Sequence, residues 1–210
     1  MKINKTTSMK TFNELFETIL TGNKDDSRKA AREVRKFLYS SHGDQYDSIK
    51  SIIENAPKEY GKIAEDWREE NFVVAVSVLY FLHGREKQPD FIFPWLFYLL
   101  LNKNGNIRHA AMRMIEHEIG PLTVHIRFPN EKLSNRLGIK QADEILFNLF
   151  IKLNNLLVDY WKPAYKKYKY ISSLPAIPYK SIQMVLGRMK EDCGETYIKR
   201  LESRLRESNK

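Results

Sequence analysis

The sequence predicts an all-α chain: helix pairs over roughly its first 125 residues, then a C-terminal helical extension. Three observations carry that expectation. Apolar residues recur at three- and four-residue spacing, as one buried face of an α-helix requires. The sequence has no succession of alternating Val, Ile and Thr runs separated by Asn-Gly or Asp-Gly turns, the signature of a sheet. A two-helix pattern also occurs twice, about eighty residues apart.

Taken in order, Thr11-Phe-Asn-Glu14 has the spacing of a capping box, so the first helix starts at Thr11 with Phe12, Leu15, Phe16, Ile19 and Leu20 on one face. Gly22-Asn23 ends it. Asp25 or Asp26 is the expected cap of the next helix, Ser27 to about Ser41, which turns Ala30, Ala31, Val34, Phe37 and Leu38 inward. Further helices are expected at 46–55, 67–83, 91–102 and about 107–118, the last stopped by Gly120-Pro121. Residues 127–140 read as a polar, irregular connection. A long helix runs from about Gln141 to at least Asp159, and a proline-containing stretch, Leu174 to Pro178, precedes two short helices, the second from Glu195 to about Glu207.

Composition bounds the function. With 42% hydrophobic and 29% charged residues the chain is expected to fold, as a single all-helical domain over 1–210 with helix pairs within 11–125 and C-terminal helices within 139–207. The lone Cys193 has no disulfide partner. The N-terminus lacks the apolar stretch of a secretory signal, and the apolar runs 72–82 and 91–101 fall well short of the roughly 20 residues that span a bilayer. A soluble cytoplasmic protein with no membrane partner is the expectation. The net charge of +9 favours an acidic protein or a nucleic acid as partner.

The internal repeat sharpens the fold. Phe12, Leu15, Phe16 and Leu20 correspond at constant offset to Phe93, Leu96, Phe97 and Leu101, and each set is followed by a polar turn and Arg-x-Ala-Ala: Arg28-Lys-Ala-Ala31 and Arg108-His-Ala-Ala111. A degenerate third copy has Phe72-Val-Val-Ala75 at the equivalent point. Ile107-Arg108-His109-Ala110-Ala111 and Asp25-Asp26-Ser27-Arg28-Lys29-Ala30-Ala31 resemble the HEAT-repeat family, Ser27 standing where that family has an apolar residue. The resemblance covers about residues 11–120 and implies an αα-superhelix, with arginines at the motif position holding adjacent repeats together.

Two surfaces are candidates for binding. Tyr160-Trp161-Lys162-Pro163-Ala164-Tyr165-Lys166-Lys167-Tyr168-Lys169-Tyr170 interleaves aromatics with lysines, a combination that stacks bases and neutralises phosphates. Trp161, Tyr165 and Tyr168 are also spaced i, i+4, i+7, which describes a buried helix stripe beside solvated Lys162, Lys166 and Lys169, and this blander reading is preferred. Arg28, Lys29, Arg32, Arg35 and Lys36 form the second cluster, diluted by Asp25, Asp26 and Glu33; the HEAT resemblance implies a concave surface for such a helix.

Catalytic signatures are sparse. His109, Glu116, His117, Glu118 and His125 lack the spacing that puts two imidazoles on one helical face, so no metal is expected. Cys193 lies in a polar Asp-Cys-Gly-Glu turn without a neighbouring histidine in sequence. Phosphate loops, dinucleotide fingerprints and nucleophile elbows are missing from the sequence, and no cofactor is expected. In size and all-helical build the chain is similar to HEAT-like alkylpurine DNA glycosylases. That resemblance implies an alternative role in binding or excising alkylated bases, with Asp66 beside Trp67, or Asp159 near Trp161, supplying carboxylate and aromatic face. Met112 and Met114 stand near where that family has a tryptophan. The leading expectation is a non-catalytic binding or scaffold module.

Overall fold

The computed structural model describes residues 10–36, 46–82, 92–130 and 138–208. All regular structure among them is helical. The helices gather into two compact units, residues 1–83 and 84–210.

The first unit holds α1 (Phe12–Thr21), α2 (Lys24–Lys36), α3 (Tyr46–Tyr60) and α4 (Asp66–Leu82). The capping box forms as the sequence predicts: the Glu14 amide donates to Thr11 Oγ1 at 3.3 Å, and the Thr11 amide to Glu14 Oε2 at 2.7 Å. Phe12, Leu15, Phe16 and Ile19 are buried. A Cβ on Gly22 would lie 2.6 Å from the Thr18 carbonyl oxygen, so this close turn out of α1 requires glycine. The cap of α2 is Asn23 rather than Asp25 or Asp26. Its Oδ1 accepts from the amides of both aspartates at 3.0 Å, leaving their carboxylates in the first helical turn, where they oppose the positive end of the dipole. Phe37 and Leu38, expected on the inner face of α2, lie outside the described residues. Helix α3 continues past its expected end at Asn55 through Pro57. Helix α4 buries Phe72, Val73, Ala75, Val76 and Leu79, with the Phe72 ring edge-on to Phe16 at 5.8 Å.

Ser27, the departure from the HEAT pattern, is fully buried. Its hydroxyl donates to the Ile19 carbonyl at 3.0 Å and accepts from Asn71 Nδ2 at 3.1 Å, so one oxygen links α1, α2 and α4. A buried hydroxyl without such partners would be destabilising. Arg68 Nη1 adds two bonds of 3.0 Å, to the carbonyls of Ile19 and Gly22 at the end of α1.

The second unit contains α5 (Phe93–Leu100), α6 (Gly105–Leu122), α7 (Val124–Arg127), α8 (Ile139–Tyr160) and α9 (Pro178–Ser208). Asn104 caps α6, its Oδ1 accepting from the Asn106 amide at 2.8 Å. Helix α6 runs through Gly120-Pro121 instead of stopping there. Pro121 falls in the last turn, close to where the helix ends in any case. The two expected terminal helices are the two arms of α9, which turn at Gly194 (φ 74°), a backbone angle that favours glycine. The second arm is less polar than its sequence suggests, since Tyr197, Ile198 and Leu201 are buried.

The two copies of the repeat fold alike, each as a helical hairpin. Phe12 and Phe93, Leu15 and Leu96, and the alanine pairs Ala30-Ala31 and Ala110-Ala111 are all buried. The motif arginines differ. Arg108 is buried and donates through Nη1 to the carbonyls of Asn102 (2.8 Å) and Lys103 (2.9 Å), and through Nη2 to Ala176 (2.9 Å). Arg28 is exposed, so the shared structural role implied by the resemblance is corrected for it; Arg68 carries the turn carbonyls of the first hairpin instead. Arg108→Met should therefore cost at least about 1.5–3 kcal/mol, the worth of one hydrogen bond to a charged group. Arg28→Met should stay within about 0.5 kcal/mol of the parent. Urea unfolding of both variants measures this, and equal losses would contradict the assignment.

Candidate functional site

Segment 160–177 follows from its prolines. Pro163 disfavours helical backbone at Lys162, which is extended (φ −128°, ψ 142°), so α8 ends at Tyr160. Short 3₁₀ turns at Pro163–Lys167 and Ile171–Ser173 alternate with extended residues at Tyr168, Tyr170 and Leu174. The helical stripe expected of Trp161, Tyr165 and Tyr168 is therefore overturned: Trp161 and Tyr168 are extended, Tyr165 lies in a 3₁₀ turn, and no residue from 160 to 170 is buried.

The irregular backbone is nevertheless held. Tyr165 packs on Tyr179 of α9 with ring centroids 5.0 Å apart. Lys180 Nζ donates to the Leu174 carbonyl at 3.1 Å and Arg108 to that of Ala176, while Leu174 itself is buried. What remains outward is a row of rings and ammonium groups. Trp161 is 41% exposed and Tyr170 63%. Lys166 Nζ lies 5.5 Å from the Trp161 ring centre, Lys167 Nζ 5.0 Å from Tyr168 and Lys169 Nζ 5.2 Å from Tyr170. From Tyr160 to Lys190 the chain has seven Lys or Arg and no Asp or Glu. Among the described residues, Lys162, Lys166, Lys167 and Lys169 have no carboxylate within ion-pair distance.

The second basic cluster is different in kind. Arg28, Lys29, Arg32, Arg35 and Lys36 are exposed on α2, but Lys29 lies 3.9 Å from Asp26 and Lys36 3.4 Å from Glu33. Of the carboxylates suggested for base excision, Asp66 is the exposed first residue of α4 and Asp159 is exposed in the last turn of α8, in different units. The Arg68 guanidinium sits over the half-buried Trp67 ring, 4.4 Å from its centre.

Sequence reading missed a polar cluster in the second unit. His125 Nε2 lies 3.0 Å from Asp143 Oδ1, Tyr197 Oη donates to the same oxygen, and Arg200 Nη2 is 3.6 Å away. Burial would raise the Asp143 carboxyl, but the hydrogen bonds from Tyr197 and His125 and the charges of His125 and Arg200 outweigh it and hold the pKa below the ordinary value. An ionised Asp143 requires the proton on His125 Nε2. His125 Nδ1 is buried and without a hydrogen-bond partner among the described residues. Cys193, expected in a polar turn away from any histidine, is instead buried in α9 and shares a cavity of about 390 Å³ with His125 and Tyr197. Burial, with the charges of Asp192 and Asp143, pushes its thiol up to about 12. No local pattern could have found this cluster, since its members come from α7, α8 and α9.

The chain matches no family model, no curated protein and no solved structure.

Two measurements check this chemistry. With its thiol at about 12, Cys193 should react with a thiol reagent at pH 8 at least tenfold more slowly in the folded chain than in urea. Equal rates would contradict its burial. Asp143→Ala leaves the Tyr197 hydroxyl and the His125 imidazole without an acceptor and should cost about 1–3 kcal/mol at pH 7. Because the Asp143 pKa is lowered on folding, the stabilisation is full above the unfolded value of 3.8 and is lost as pH falls through the folded one. The gap between parent and variant in urea should accordingly narrow below about pH 4.

Proposed function

We propose that the chain is a non-catalytic binding module of HEAT-like helix pairs that holds a polyanionic partner on residues 160–170. One observation carries this reading: lysines and aromatic rings face outward on a pinned backbone within a stretch that contains no acid. Charge left unpaired on a protein is available to an external anion, and release of that anion's counterions drives association. Pinning at Tyr165, Leu174 and Ala176 lowers the ordering cost on binding. The HEAT-like reading is supported by the two hairpins and their buried alanine pairs. An exposed α2 with partly paired charges fits an auxiliary role.

The test is affinity chromatography on heparin, followed by anisotropy titration with labelled polyanions across a salt series. Lys166→Gln, Lys167→Gln and Lys169→Gln combined should weaken binding at least tenfold and lower the salt slope by about 2, since each lost phosphate contact on a single strand removes about 0.7. Unchanged affinity would remove this segment from the interface. Substituting Arg28, Arg32 and Arg35 should have the smaller effect.

A further inference from the structure

Lysines alone would suit any anionic partner. The outward rings narrow the choice. A ring in contact with water gains by being covered, and neither Trp161 at 41% nor Tyr170 at 63% exposure is covered by the described part of the chain. Tyr165, by contrast, is taken up by Tyr179 and acts as an anchor.

Three rings, Trp161, Tyr168 and Tyr170, each have an ammonium within about 5–5.5 Å of the ring centre. In each pair the ammonium lies over the ring, so a cation and a part-exposed aromatic surface stand within a few ångströms of each other. A nucleotide is built in the same way, with a flat base and a phosphate one sugar apart. The base can stack on the ring while the phosphate meets the ammonium. An acidic peptide would satisfy the lysines but has few flat groups for the rings. In a duplex the bases are stacked on each other and closed to the rings, so a double strand could use the lysines only.

The geometry points to single-stranded nucleic acid as the partner of this surface, with Trp161 and Tyr170 as stacking platforms and Lys166, Lys167 and Lys169 as phosphate contacts. Tyr168, half-buried, is the third and weaker platform. The inference rests on the polyanion reading above and adds that bases are recognised as well as charge. Sequence preference should be slight, since every base has a π-face.

The experiment uses the full chain and five probes: a short oligo-dT, an abasic strand of the same length, the oligo-dT duplex with oligo-dA, inorganic polyphosphate and a polyglutamate peptide. Trp161 is the most exposed of the three tryptophans, so stacking should quench tryptophan fluorescence with oligo-dT and not with polyphosphate. Trp161→Ala and Tyr170→Ala should each weaken oligo-dT binding about 5- to 100-fold while leaving abasic-strand and polyphosphate binding within about twofold. Far-UV circular dichroism of each variant checks that it is folded. Equal affinity for oligo-dT and the abasic strand, or tighter binding of duplex or polyglutamate, would overturn base stacking and leave the polyanion reading intact. Failure to bind any of the five at low salt would overturn both.

Discussion

A guanidinium taken out of water needs oxygen atoms around it, and in residues 84–210 Arg108 finds them in backbone carbonyls instead of a carboxylate. Two of these, from Asn102 and Lys103, close the turn between α5 and α6. The third, from Ala176, belongs to the connection between α8 and α9. A single buried cation therefore holds a hairpin turn and the far end of the segment that displays the lysines. Without it, residues 160–177 would rest on the Tyr165–Tyr179 contact, Leu174 and Lys180.

The first hairpin solves the same problem differently. Its turn carbonyls are taken by Arg68, from the start of α4, and the position that is isoleucine in the second copy, Ile107, is here Ser27. A buried serine is stable only with its hydroxyl bonded, and Asn71 and the Ile19 carbonyl provide this. The two copies share their apolar positions and alanine pairs, while the polar groups closing each turn come from different helices. Arg28 is consequently released to solvent although it occupies the same motif position as Arg108.

The same division between buried and exposed polarity separates the two clusters of the second unit. His125, Tyr197 and Arg200 converge on the Asp143 carboxylate and so join α7, α8 and α9. Cys193 beside them is kept protonated by burial, which suits packing and not nucleophilic attack. The lysines of 160–170 meet aromatic rings but no carboxylate within the described chain. Polar groups of the first kind belong to the fold, and those of the second kind face outward without a carboxylate partner.

Much of the architecture was legible because it follows from local chemistry. The capping box at Thr11, the buried run at 72–80, the break at Gly194 and the equivalence of the two hairpins all rest on residues within a few positions of each other. The i, i+4, i+7 spacing of Trp161, Tyr165 and Tyr168 misled, and the signal that counted against it was Pro163, which disfavours helical backbone at Lys162. Extension of α3 and α6 through Pro57 and Pro121 was not legible, since packing can compensate for a lost backbone bond. The sequence by itself determined that the chain is helical, that its hairpins recur and that residues 160–190 carry only positive charge. Tertiary structure alone decided which charges are used up inside, as Arg108 and Asp143 are, and which face outward. Hydrogen-bond partners 18 to 68 residues apart leave no local pattern to read.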